Sequence, residues 1–107
     1  MGGAQYEREL RDILRSEGWI VFRSAGSQVA DLIALKPNDH MIVEVKSTKA
    51  NNANLGHDTK SKEQFDLLNA FAKQGFNVYY YVRWKGKKEW SKFKLPMEPY
   101  PKLLKNQ

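Results

Sequence analysis

Two short stretches carry residue types suited to phosphate and metal chemistry. In Ile42-Val43-Glu44-Val45-Lys46 a carboxylate and an ammonium stand two residues apart. Strand side chains alternate between faces, so Met41, Val43 and Val45 point one way and Ile42, Glu44 and Lys46 the other, with Glu44 and Lys46 about 7 Å apart. Asp31 interrupts an apolar row (Ala30, Leu32, Ile33, Ala34, Leu35), where an acid is costly unless it has a partner. Pro37-Asn38-Asp39 is a turn signal, so residues 29–36 and 40–48 are expected to pair as an antiparallel hairpin. Asp31 and Glu44 lie symmetrically about that turn, which makes them cross-strand neighbours roughly 5 Å apart. Two such carboxylates raise each other's pKa unless a cation intervenes, and Lys46 neutralises them only in part. A hard divalent cation such as Mg²⁺ completes the balance, because it takes a few carboxylate oxygens plus waters and substrate phosphate. By itself the trio also fits a surface Asp/Glu/Lys cluster of little energetic weight.

These residues need a scaffold, and the surrounding pattern supplies one. Residues 4–17 predict a helix stopped by Gly18, with Tyr6, Leu10, Ile13 and Leu14 as its apolar stripe. Glu7 and Glu9 each border that stripe, and helix geometry does not choose between them. Residues 19–23 predict a strand, and Ser24-Ala-Gly-Ser-Gln28 a loop. Residues 49–58 lack periodicity and predict a mobile loop. A second helix is expected over 59–74, with Phe65, Leu68 and Ala72 and the flanking Leu67 and Phe71 as its buried side; Gln64 faces either the site or solvent. Residues 77–84 read as a central strand, and 89–95 as an edge strand with exposed lysines. From Pro96 onward an irregular tail is expected, with a short final turn at 102–104. The order αβββαββ implies a single α/β domain over 1–107, a mixed five-stranded sheet flanked by helices.

Composition narrows the chemistry. The 107 residues contain no Cys, which removes disulfides, thiol nucleophiles and cysteine-based metal sites. The longest uncharged apolar runs, 19–22 and 78–82, are far short of a membrane span, and no signal-peptide core opens the chain. A soluble, cytoplasmic protein of a cell or infected host cell is the expectation, with no membrane partner. The net charge of +6 is divided unevenly: residues 1–46 carry 6 Lys+Arg against 7 Asp+Glu, and residues 47–107 carry 12 against 5. A basic half interleaved with aromatics (Tyr79, Tyr80, Tyr81, Trp84, Trp90) suits a polyanion, although charge alone also fits a solubilising surface. The tyrosine run fits core and subunit contact as well as base stacking, and Lys85 to Lys88 a charged hairpin tip. His40 and His57 lack a partner at helical spacing, so neither reads as a metal ligand.

Gly3-Ala-Gln-Tyr-Glu7-Arg8-Glu9-Leu10, then Arg23-Ser24-Ala-Gly-Ser27 with Asp31 four residues on, then Glu44-Val45-Lys46, resembles the archaeal-type Holliday junction resolvases. These belong to the PD-(D/E)XK nuclease superfamily with its restriction-endonuclease-like fold. The resemblance spans residues 3–48, and Ala30 stands where the superfamily has its proline. It implies Asp31 and Glu44 as metal ligands, Lys46 as the catalytic lysine and Glu7 as the third acid, leaving Glu9 as a solvent or helix-edge partner. It also implies Ser27 near the scissile phosphate, and Arg8, Arg23, Ser24, Ser27 and Lys49 as DNA contacts.

The implied reaction is phosphodiester hydrolysis. One or two Mg²⁺ ions, with Mn²⁺ able to substitute, would acidify a water and stabilise the pentacoordinate phosphate, while Lys46 orients that water or neutralises the phosphate. The implied substrate is a four-way DNA junction, and the implied assembly a homodimer that sets two sites on opposing strands. Two other functions compete: a nuclease of the same fold acting on nicks, flaps or single strands, and a non-catalytic DNA-binding protein. Intact Glu7, Asp31, Glu44 and Lys46 argue against the last.

Overall fold

The computed structural model describes residues 3–24 and 30–106. Its elements are α1 (Gly3–Ser16), β1 (Ile20–Arg23), β2 (Leu32–Lys36), β3 (Asp39–Thr48), β4 (Asn52–Asn54), α2 (Thr59–Lys73), β5 (Val78–Trp84), β6 (Trp90–Lys94) and β7 (Lys102–Leu104). Five strands form one mixed sheet in the order β1-β2-β3-β5-β6, in which only β3 and β5 run parallel. The expected α/β architecture, mixed five-stranded sheet and hairpin are therefore present.

Strand alternation decides what each helix covers. One face of the sheet presents Val21, Leu32, Ala34, Met41, Val43 and Tyr81, onto which α1 lays Leu10 and Leu14. Ile13, expected in the same stripe, is instead 37% exposed at its margin. Gly18 adopts φ 97°, a left-handed conformation that ends the helix without the cost a Cβ would bring. The opposite face presents Val78, Tyr80 and Val82 to Phe65, Leu68 and Ala72 of α2. Asp58 caps that helix, accepting 2.7 Å from the Ser61 N–H. The β2–β3 turn is two residues long: Pro37 fixes one φ, and Asn38 takes the positive φ (64°) such a turn requires next.

Two expectations are corrected. Residues 49–58 are not a mobile loop, nor is the tail irregular, because β4 and β7 pair antiparallel with Asn52 opposite Leu104 and Asn54 opposite Lys102. The tail is anchored by a buried polar group. Asn69 of α2 is buried, and its amide both donates to the Met97 carbonyl (3.0 Å) and accepts from the Met97 N–H (2.9 Å). Tyr100 then packs edge-on to Phe65 with ring centroids 5.5 Å apart, and its hydroxyl donates to Asp66. Gly56 makes this approach possible, since a Cβ there would lie 2.5 Å from Tyr100 Cβ. Leu55 and Leu103 join the α2 core as a result.

Leu103 is 2% exposed, so Leu103→Ala is expected to reduce the unfolding free energy by about 2–4 kcal/mol. Urea denaturation measures this directly, and a tail lying free on the surface would show no change.

Candidate active site

Asp31 sits at the residue before β2, where the hairpin ladder is still closed by its backbone: its N–H donates to the Val43 carbonyl (3.0 Å), and its carbonyl accepts from the Ser24 N–H (2.9 Å). The regular register ends at Leu32 opposite Val43, and Asp31, just beyond it, lies close enough to Glu44 for their carboxyl groups to interact directly. Asp31 Oδ2 accepts 2.8 Å from the Val45 N–H, which lies beyond the reach of the β2 ladder. The carboxylate thereby takes over a backbone hydrogen bond where the partner strand stops, and its position is tied to the sheet rather than to a flexible loop.

Glu44 is only 5% exposed, and its Oε1 has no hydrogen-bond partner among the described residues. Burial, reinforced by the Asp31 charge, pushes its pKa up to about 8, against the opposing influence of Lys46 and Gln64. Lys46 Nζ lies 3.8 Å from Glu44 Oε2 and donates 3.3 Å to Gln64 Oε1. Tyr80 is the β5 residue paired with Glu44; burial first, and the Glu44 charge second, raise its phenol pKa and keep it protonated. A cavity of about 230 Å³ opens beside Lys46, lined among others by Thr48, Asn52, His57, Ser61, Gln64 and Tyr80.

The other expected residues are distributed around this pair. Glu7 does not join Asp31 and Glu44; its Oε1 accepts from Arg23 Nη2 (3.1 Å) and Nε (3.3 Å) in a half-buried ion pair. Among the described residues no three acidic or histidine side chains are gathered closely enough to hold a metal ion. The structure therefore brings together two of the three expected acids with the lysine. Arg8 and Lys49 are exposed, Ser24 borders Asp31 through its backbone, and Ser27 lies outside the described residues. Glu9 is a helix-edge partner, accepting from Trp90 Nε1 (3.1 Å) and pairing with Arg83 (3.3 Å). His40 accepts from the Asn77 N–H, away from the acids. Gln64, whose direction the sequence left open, faces the site; helical spacing alone could not say so, because the residue sits at the border of the buried stripe.

The donor set fits a hard divalent cation: two adjacent carboxylates, one with an unpartnered buried oxygen, and no soft ligand. A family model described as archaeal Holliday junction resolvase (Hjc) matches residues 1–99. The chain belongs to that family. The crossover junction endodeoxyribonuclease Hjc of Methanocaldococcus jannaschii is 46% identical over 46 residues, which are 43% of this chain and 35% of that protein. The alignment thus spans about a third of that relative's length. Hjc of Archaeoglobus fulgidus, a Holliday junction resolvase from an archaeal hyperthermophile, superposes with a TM-score of 0.73 over 88% of this chain and 73% of that one. At 24% identity this likeness establishes the shared fold.

The raised Glu44 pKa has a sign that can be checked. Its folded value (about 8) exceeds the ordinary 4.5, so the protonated carboxyl contributes stability that is fully present below about pH 4.5 and is lost as pH rises toward 8. In metal-free protein, the wild-type melting temperature should fall across pH 5–8 more than that of Glu44→Gln, whose curve should be flatter. The difference at pH 8 is on the order of a few kcal/mol. Parallel curves would show that Glu44 ionises without penalty.

Proposed function

We propose that this chain is a divalent-metal-dependent endonuclease that hydrolyses phosphodiesters in opposing strands of four-way DNA junctions, acting as a homodimer with Mg²⁺ as its ion. The observation that carries this reading is the juxtaposition of the Asp31 and Glu44 carboxyl groups with Lys46 beside them, in a chain of the archaeal resolvase family. Asp31 and Glu44 would hold the ion, and Glu7 would complete the set on leaving Arg23. When bound, the ion supplies Lewis-acid charge at the phosphate and an acidified water. Lys46 contributes a compact positive charge that faces the attacked phosphate. Arg23, with a fork matched to two oxygens, can exchange the Glu7 carboxylate for a DNA phosphate. Among the described residues no helix is long and apolar enough to cross a membrane.

The dimer reading is supported by an uncovered part of the sheet. Beyond α2, Ile20 (61% exposed), Phe22 (55%) and Leu35 lie on one face and meet a second group at His40, which contacts Phe76. A second copy of this chain is the occupant proposed for this face, since two-fold pairing gives two sites for two opposed strands.

The test is cleavage of a synthetic immobile four-way junction against linear duplex and flap DNA, with Mg²⁺ and with chelator. Paired symmetric nicks confined to the junction are expected; equal cutting of all substrates would contradict junction selectivity. Asp31→Asn should lose at least about 100-fold in rate, and Lys46→Ala should retain junction binding while cutting far more slowly. Phe22→Glu should sediment as a monomer and lose paired nicking.

A further inference from the structure

Lys46 presents a problem that its own strand does not solve. An ammonium beside a buried carboxylate in its ionised, metal-binding form is drawn into direct contact, at roughly 2.8 Å, because the surroundings screen the attraction poorly. Such contact would occupy a metal-ligand oxygen of Glu44 and cancel the charge that the lysine brings to a phosphate. Lys46 Nζ instead stands 3.8 Å from Glu44 Oε2, and its hydrogen bond goes to Gln64 Oε1 at 3.3 Å. The acceptor comes from another element. Gln64 precedes the fully buried Phe65, and α2 is fixed by its Asp58 cap and by Phe65 and Leu68 in the core, so the amide is delivered to the edge of the cavity beside Lys46.

We infer that Gln64 is a positioning residue for the cleavage reaction: its neutral amide accepts from the Lys46 ammonium and also reaches the Glu44 carboxyl, so it stands between the two and keeps them out of a direct ion pair, leaving a divalent ion free to claim Glu44 and a phosphate to claim Lys46. This rests on the proposed nuclease reading of the site. Neutrality is the point of the residue type. A dipole restrains the ammonium without pairing it, whereas a carboxylate at this position would draw it into an ion pair.

The variants Gln64→Met, near-isosteric without the acceptor, and Gln64→Glu, which retains an acceptor but adds charge, separate this role from a structural one. Gln64→Met should cut junctions roughly tenfold or more slower with junction affinity within about threefold, a loss in kcat rather than in binding. In a Lys46→Ala background the same substitution should cost less than about twofold, because residues acting through one another are not additive. Gln64→Glu should keep the wild-type melting temperature and still cut slowly. Titration calorimetry with Mg²⁺ on the DNA-free protein gives a readout independent of cleavage: Gln64→Met should bind the ion several-fold more weakly. Wild-type cutting by Gln64→Met, an equal rate loss in both backgrounds, full rescue by Gln64→Glu, or unchanged Mg²⁺ affinity in Gln64→Met would each overturn the inference. If the wild-type protein does not cut junctions at all, the nuclease reading fails by itself, and the Mg²⁺ titration still decides what Gln64 does to Glu44.

Discussion

Everything in the site depends on two carboxylates being forced together across a β-hairpin. Like charges at this spacing repel, and no chain would bring them into a half-buried notch for stability alone. The hairpin register imposes the pairing, and Asp31 is further bound to the sheet by its acceptance from the Val45 N–H. The cost is visible at Glu44, whose Oε1 lacks a partner among the described residues and whose pKa is displaced to about 8. A divalent cation bound here, as proposed, would remove that cost, and a strained carboxylate pair of this kind is characteristic of functional sites.

The rest of the fold can be understood as support for that pair. α1 clamps the β2–β3 hairpin from one face through Leu10 and Leu14, and α2 packs Phe65 and Leu68 against β5 on the opposite face of the sheet. The same two helices each contribute a polar group near the acids. α1 offers Glu7, held by Arg23, and α2 offers Gln64, held on Lys46. The site is consequently assembled from a rigid sheet, which sets the two acids and the lysine, and from helix side chains that reach it from either face. The β4–β7 pair steadies the cavity wall opposite Lys46, joining the end of the chain to the loop after β3.

What could be read from the residues follows from the range of the interactions. Strand alternation and the Pro37-Asn38 turn are local, and together they placed Asp31 against Glu44 and directed Glu44 and Lys46 to one face. The central and edge strands, both helices and the mixed sheet were legible for the same reason. The β4–β7 pairing was not, because two three-residue strands some fifty positions apart carry no periodicity, and they are held by a buried Asn69 whose type normally signals exposure. The Glu7–Arg23 ion pair was equally hidden. Each residue could be assigned a separate role, but that they occupy one another depends on how α1 lies on the sheet. Gln64 sits at a helix border, where a rotation of a few tens of degrees decides between solvent and site.

Asp31 and Glu44 are proposed to form the divalent-ion site, and the ion itself can be located. Mn²⁺ is paramagnetic and broadens the amide signals of nearby residues, so titrating it into ¹⁵N-labelled, DNA-free protein locates the ion without reference to cleavage. The account predicts that the amides of Asp31, Glu44 and Val45 broaden first and that Asp31→Asn abolishes this selective loss. Broadening centred elsewhere, or a pattern unchanged by Asp31→Asn, would contradict it.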